Sequence, residues 1–111
     1  MEAACKGAVR AGGLTIGLLP DDHWETANPY VKVPLATGIG AARNAIIARA
    51  CCCLIAIGGG YGTLSEIAFG LQFECPVLVL EGAPLIAGVT AIDGWSKLED
   101  AICRLVLKLP T

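Results

Sequence analysis

Apolar residues along the chain fall into two patterns, short continuous runs and stripes with helical spacing. Continuous apolar runs of about four to eight residues predict strands that are buried on both faces, as in parallel sheets. Such runs lie at residues 14–19, 52–57 and 76–80. Residues 33–37 could form a further short strand, and residues 81–94 are loop-like with room for a short strand near 88–92. Helical spacing predicts helices at residues 1–11, 38–51, 63–73 and 96–107. Because helices and strands alternate, we predict an α/β fold with a Rossmann-like doubly wound parallel sheet.

The helical stripes predict which side chains face the core. In the helix at 38–51, the stripe consists of Ile39, Ala42, Ile46 and Ala50. In the helices at 63–73 and 96–107, the predicted inward residues are Leu64, Ile67, Ala68, Leu71, Leu98, Ile102 and Leu105. Two capping boxes, Thr63 with Glu66 and Ser96 with Glu99, predict where these two helices begin.

The length of 111 residues predicts one Rossmann-like domain that spans residues 1–111. A doubly wound domain normally opens with a strand whose following turn helps to bind the ligand, whereas this chain opens with a predicted helix. We therefore expect a partial, N-terminally truncated domain. The hydrophobic content of 55% is also high for so small a domain, which indicates that a partner chain covers part of its surface.

Charge and composition argue against several classes of partner. With a net charge of −2 and scattered basic residues, the chain gives no reason to expect nucleic acid or an anionic membrane. Its apolar stretches are interrupted before the roughly 20 residues that a membrane span requires. Because it has one histidine and no C-x-x-C pair, we predict no metal site. The six cysteines are predicted to be reduced, buried and structural in a cytoplasmic protein.

A glycine-rich turn joins the strand at 52–57 to the helix at 63–73. In open parallel sheets, ligands bind beyond the carboxyl ends of the strands. There, glycines let a ligand approach the backbone, and a helix N-terminus attracts anions. We therefore predict a phosphate site at Gly58, Gly59, Gly60, Gly62 and Thr63, the alternative being a plain tight turn. The segment is neither a P-loop, which needs a lysine, nor the dinucleotide fingerprint G-x-G-x-x-G.

Glu66, one turn into the helix, has two interpretations. As the last residue of a capping box, it would only accept a hydrogen bond from the backbone of Thr63. Beside a phosphate site, its carboxylate could instead bind a ribose hydroxyl or take part in acid–base chemistry. The second interpretation implies a ligand that carries hydroxyl groups as well as phosphate.

Two separated motifs resemble those of a known superfamily. Residues 59–66, Gly-Gly-Tyr-Gly-Thr-Leu-Ser-Glu, resemble the P-G-G-x-G-T-x-x-E signature of the Lonely Guy (LOG) and lysine decarboxylase-like superfamily. Residues 43–47, Arg-Asn-Ala-Ile-Ile, resemble its R-K-x-x-M signature. The chain as a whole is most similar to the Rossmann-like branch that is related to molybdenum cofactor carrier proteins, over about residues 1–80.

The resemblance implies a Rossmann-like fold in a homodimer or larger homo-oligomer. LOG enzymes hydrolyse the N-glycosidic bond of nucleoside 5′-monophosphates, and Arg43 and Glu66 match their catalytic arginine and glutamate. Gly58 replaces the signature proline and Asn44 the signature lysine, and both changes are typical of the carrier-like branch. Relative to the family, this chain also lacks an N-terminal strand, helix and strand.

Three hypotheses follow for function. The first is non-covalent binding of a phosphorylated, nucleotide-like ligand, either the molybdenum cofactor or a nucleoside monophosphate, with Asn44 and Tyr61 as further ligand-binding residues. The second is a LOG-type phosphoribohydrolase. The third is a truncated chain that has lost a working site. The departures at Asn44 and Gly58 favour the first over the second, and the missing first strand favours the third.

Overall fold

The computed structural model describes residues 1–108, which form two compact units that divide after Arg43. Its helices and strands are α1 (Glu2–Arg10), β1 (Ile16–Leu19), β2 (Val33–Ala36), α2 (Arg43–Ala50), β3 (Leu54–Ile57), α3 (Tyr61–Gln72), β4 (Val77–Leu80), β5 (Thr90–Ala91) and α4 (Trp95–Leu105). Short 3-10 helices lie at Trp24–Thr26 and Gly40–Ala42. Each predicted helix and strand is therefore present. In the described part of the chain, no helix is long and apolar enough to cross a membrane.

The first unit is built around a parallel sheet of two strands, β1 and β2, which pair along all four residues of each. The buried Thr15 stands just before β1. Its hydroxyl donates to the carbonyl of Tyr30 at 2.6 Å and accepts from the backbone N–H of Lys32 at 2.9 Å. Thr15 thereby fixes the end of the polar loop that leads into β2.

The second unit contains a parallel sheet in the order β3, β4, β5, so that β4 is the central strand. All four residues of β4 are buried. In β3, by contrast, Ile55 and Ile57 are 37% and 48% exposed. The prediction of burial on both faces is therefore correct for β4 and wrong for β3. On the face that carries Ile55 and Ile57, helix α4 packs against β4 and leaves these two side chains partly exposed.

Helices cover both faces of this three-stranded sheet. On one face, Ile67 of α3 is fully buried among side chains of β3 and β4, and Ile47 of α2 packs beside them. On the other face, Leu98 and Ala101 of α4 pack against β4. Helices on both faces of a parallel sheet are the doubly wound arrangement, so the predicted α/β, Rossmann-like fold is confirmed.

Helix α2 is shorter than predicted, and its buried face is a different one. Gly38 and Gly40 have φ angles of +66° and +61°, which an α-helix cannot contain, so the helix begins only at Arg43. Its buried residues are Asn44 and Ala48. The predicted stripe is wrong here, since its four members are all exposed: Ile39, Ala42, Ile46 and Ala50.

The other two predicted stripes are correct in part, whereas both capping boxes are wrong. Ala68 and Leu105 are exposed, although Leu64, Ile67, Leu71, Leu98 and Ile102 are buried or half-buried. Helix α3 has Gly60 as its N-cap and α4 has Gly94, so Thr63 and Ser96 lie inside the first turns. A capping box requires the Ser or Thr to be the N-cap itself.

The cysteines are more accessible than predicted. Each of the six is a free thiol in the structure, Cys52 is exposed, and the other five are half-buried. The predicted role of the cysteines as buried core residues is therefore not what the structure shows.

Candidate functional site

The predicted glycine turn lies at the carboxyl end of β3, where its backbone takes left-handed conformations. Gly58 and Gly59 have φ angles of +62° and +105°. The N–H of Gly58 donates to the carbonyl of Leu80 at 3.1 Å, which continues the β3–β4 pairing into the turn. The turn therefore starts from a fixed point on the sheet and passes through two left-handed residues, a path that glycine follows without steric cost.

Gly59 and Thr63 are packed against each other. A Cβ on Gly59 would overlap the Oγ1 of Thr63, so the threonine side chain fills the space that a larger residue would need. Thr63 is the third residue of α3 and closes the inside of the turn. This contact fixes the path of the chain between β3 and α3.

Because the turn is short, the N-terminus of α3 lies at the carboxyl edge of the sheet. The first intrahelical bond runs from the N–H of Leu64 to the carbonyl of Gly60, at 2.9 Å. The N–H groups that precede it have no acceptor within the helix, and together with the helix dipole they favour an anion. A Cβ on Gly60 or Gly62 would meet no other described atom within 4 Å, and Tyr61 is 92% exposed.

Asn44 connects α2 to this first turn of α3. Its Nδ2 donates to the Oγ of Ser65 at 3.0 Å and to the carbonyl of Gly62 at 3.4 Å. Ser65 Oγ in turn donates to the same carbonyl at 2.7 Å. Asn44 is only 5% exposed, and within residues 1–108 its Oδ1 has no hydrogen-bond partner. Asn44 therefore holds the turn in place and retains one acceptor for a further donor.

We expect Asn44→Ala to destabilise the protein by about 1–3 kcal/mol, because Gly62 and Ser65 lose a buried hydrogen-bond donor. Urea unfolding measures the loss, and Ser65→Ala serves as the matched control because it removes only one of the two partners. A smaller loss for Ser65→Ala than for Asn44→Ala is expected. Wild-type stability of Asn44→Ala would show that the network contributes nothing.

The predicted catalytic pair is distributed over the two units. Arg43 is the last residue of the first unit, where its Nη1 donates to the carbonyl of Leu18 at 2.8 Å. Its Nε is buried and has no partner within the described residues. Glu66 belongs to the second unit and is half-buried on α3, one helical turn after Thr63. Glu66 therefore lies on the same helix as the glycine turn, and Arg43 is anchored to β1.

A crevice of about 170 Å³ lies at the carboxyl ends of β4 and β5. Its lining includes Glu81, Gly82 and Leu85. A Cβ on Gly58 would lie 3.6 Å from the carbonyl of Glu81, so the crevice adjoins the glycine turn. In residues 1–108, no group of three His, Cys, Asp or Glu side chains could hold a metal ion.

Two features of the site escaped sequence reasoning. Ser65 bonds to a side chain 21 residues away, and no local pattern indicates such a pairing. Glu81, which lines the crevice, has a φ angle of +51° and is followed by Gly82 at +77°. The dipeptide Glu-Gly after a buried strand was a usable signal for a sharp turn at the sheet edge.

Comparison with known proteins gives close matches. The sequence model of the SLOG cluster4 family matches residues 1–102. An uncharacterized protein of Archaeoglobus fulgidus is 40% identical over 93 residues, which cover 84% of this chain and 61% of the relative. The chain thus spans about three fifths of the length of this curated relative.

Solved structures of molybdenum cofactor proteins share the fold. The molybdenum cofactor binding protein of Rippkaea orientalis matches with a TM-score of 0.86 and 31% identity, over 96% of this chain and 71% of that protein. The molybdenum cofactor carrier protein of Chlamydomonas reinhardtii matches with a TM-score of 0.82 and 36% identity, over 98% and 72% of the two chains. These matches confirm the predicted resemblance to the LOG-like superfamily and to its carrier-like branch. The chain belongs to the SLOG cluster4 family.

Proposed function

We propose that this chain binds a phosphorylated pterin or nucleotide without covalent attachment, and that the molybdenum cofactor is its ligand. The observation that carries the proposal is the left-handed turn at Gly58 and Gly59, which aims the N-terminus of α3 beyond the carboxyl edge of the sheet. Phosphate binds at such a helix end through backbone N–H groups and the dipole, so no lysine is required. The similarity to two molybdenum cofactor proteins supports this choice of ligand.

Each predicted site residue of the second unit has a role in this proposal. Phosphate contacts the backbone from Gly58 to Gly62 and the hydroxyl of Thr63. The exposed ring of Tyr61 is available to stack on a pterin or base, because an aromatic face suits a planar ligand. The carboxylate of Glu66 accepts hydrogen bonds from ligand N–H or O–H groups. Asn44, whose Oδ1 is buried, acts on the ligand through the turn that it holds. Arg43 carries a permanent positive charge, and in the first unit its guanidinium bonds to the carbonyl of Leu18.

We also propose that the protein works in the cytoplasm as a homodimer or larger homo-oligomer. Large apolar side chains at the surface support an oligomer, among them Leu14, Ile16 and Leu85, which are 67%, 59% and 70% exposed. Association of chains removes exposed apolar surface of this kind from water, which is favourable. Light scattering after size exclusion measures the mass directly, and a monomer at all concentrations would contradict this part of the proposal.

Ligand binding is tested with the purified full chain and the molybdenum cofactor, under anaerobic conditions, by native mass spectrometry and fluorescence titration. We expect a complex with one ligand per chain. We further expect Thr63→Val, which keeps the shape of the side chain and removes its hydroxyl, to weaken binding about tenfold, or 1.4 kcal/mol. The matched control is Thr26→Val, in the first unit. A chain that binds neither the cofactor nor AMP contradicts the proposal.

The same preparation distinguishes a carrier from a hydrolase. Incubation with AMP, followed by chromatography for free adenine, detects cleavage of the N-glycosidic bond. We expect no adenine above the buffer control. Adenine release that disappears in both Arg43→Ala and Glu66→Ala would establish phosphoribohydrolase activity instead of carriage.

A further inference from the structure

Two cysteine thiols of the second unit lie beside each other at the edge of the sheet opposite to the glycine turn. The Sγ atoms of Cys51 and Cys75 are 3.6 Å apart. Cys51 directly follows the last residue of α2, and Cys75 lies between the end of α3 and the start of β4. Both residues are half-buried rather than fully enclosed.

The backbone around the two thiols is paired. The N–H of Leu54 donates to the carbonyl of Pro76 at 2.9 Å, which is the first rung between the segments that lead into β3 and β4. The Sγ of Cys75 also lies 3.8 Å from the carbonyl of Cys51. The two cysteines are therefore held together by the sheet itself, and sulfur atoms at 3.6 Å need to close to the about 2.05 Å of a disulfide. Both residues lie outside helices and strands, where such a shift is accommodated.

We propose that Cys51 and Cys75 form a redox site at which a hydroperoxide converts the two thiols into an intramolecular disulfide. The hydroperoxide oxidises the sulfur of Cys75 to a sulfenic acid and is itself reduced, hydrogen peroxide giving water. The sulfur of Cys51 then attacks the sulfur of Cys75, forms the S–S bond and displaces a second water. Two thiols lose two electrons in total, and one peroxide gains them.

The order of these steps follows from the surroundings of Cys51. Burial raises the pKa of its thiol to about 11, and the hydrogen bond with Cys75 adds to this effect. Since the thiolate is the nucleophile, Cys51 reacts slowly with peroxide in bulk solution near neutral pH. Its attack on the sulfenic acid of Cys75 is intramolecular, because the two sulfur atoms lie 3.6 Å apart, and so it does not depend on a chance encounter.

The disulfide would enclose the candidate phosphate site in a covalent loop. The segment from Cys51 to Cys75 contains β3, the glycine turn and α3, and thus every predicted phosphate-binding residue. The bond itself lies at the amino end of the strands, away from the turn. Oxidation therefore stabilises the segment without obstructing the ligand.

The test is treatment of the reduced full chain with hydrogen peroxide, followed by alkylation, proteolysis and mass spectrometry without reductant. We expect a peptide pair linked through Cys51 and Cys75, lighter by two hydrogens than its separate parts. Because Cys51, Cys52 and Cys53 share one peptide, the assignment is made in a Cys52→Ser, Cys53→Ser variant. We also expect the melting temperature to rise by roughly 10 °C on oxidation and to fall back with dithiothreitol.

Cys51→Ser and Cys75→Ser provide the controls, since each keeps the fold and removes one sulfur. Peroxide should leave the melting temperature of both unchanged. The proposal is overturned if Cys75 is linked to a cysteine other than Cys51, or to a second chain. It is also overturned if Cys51 and Cys75 are both still alkylated after the peroxide has been consumed.

Discussion

Replacement of Gly59 by alanine is expected to remove both the ligand site and a large part of the stability of the second unit. The φ angle of +105° is one that L-residues rarely adopt, and the new methyl group would also overlap the Oγ1 of Thr63. A strained backbone position alone costs about 1–3 kcal/mol, to which the overlap adds. We therefore expect a loss of about 3 kcal/mol in urea unfolding and at least a roughly tenfold weaker affinity for the phosphorylated ligand.

Gly7→Ala is the matched control for this substitution. Gly7 lies in α1, its surroundings leave room for a methyl group, and alanine favours a helix by about 1 kcal/mol over glycine. The control should be slightly more stable than the wild type and bind ligand equally well. Full ligand affinity in Gly59→Ala would mean that the left-handed turn does not form the phosphate site.

Ile67→Ala is expected to have an equally large effect on stability, by a different mechanism. Ile67 has no exposed surface and packs against Leu54 and Val77, so the truncation leaves a cavity between α3 and the sheet. Substitutions of this kind cost about 2–5 kcal/mol. Urea unfolding, with the slope held common to all variants, measures the difference.

Ile46→Ala provides the comparison, because Ile46 has the same side chain on a neighbouring helix and is 39% exposed. Its loss should stay within about 0.5 kcal/mol, as for other surface substitutions. The pair also tests the orientation of α2. An equal loss of unfolding free energy in the two variants would mean that Ile46 is buried in the core, which would contradict the observed burial of Asn44.

Local features of the site could be predicted from the sequence, and long-range ones could not. The glycine turn was predictable because its requirements are local: glycines where φ is positive, directly after an apolar strand. The orientation of α2 was not, because apolar residues occur on several sides of that helix. The buried face of α2 is the one that carries Asn44, whose side chain bonds to Ser65 on α3. That bond forms only in the tertiary structure. Polar residues are buried when they find such a partner.

The predicted starts of α3 and α4 were wrong for a related reason. Thr63 and Ser96 satisfy the capping-box pattern, yet glycines upstream of them, Gly60 and Gly94, are the observed N-caps. A glycine N-cap has no side chain that could mark the start of a helix in the sequence. The capping-box pattern therefore places each start a few residues too late. The burial of β3 was mispredicted because an apolar strand has the same composition at the centre and at the border of a sheet.

The hydrogen bond from Gly58 to Leu80 has a consequence for how the protein moves. The amide of Gly58 exchanges with solvent only when the end of the β3–β4 pair separates, whereas the first amides of α3 need no such opening. We therefore expect the turn at Gly58 to open together with the ends of β3 and β4. A ligand that holds this segment closed therefore slows the exchange of the Gly58 amide, although the N–H of that amide donates to Leu80 and not to the ligand.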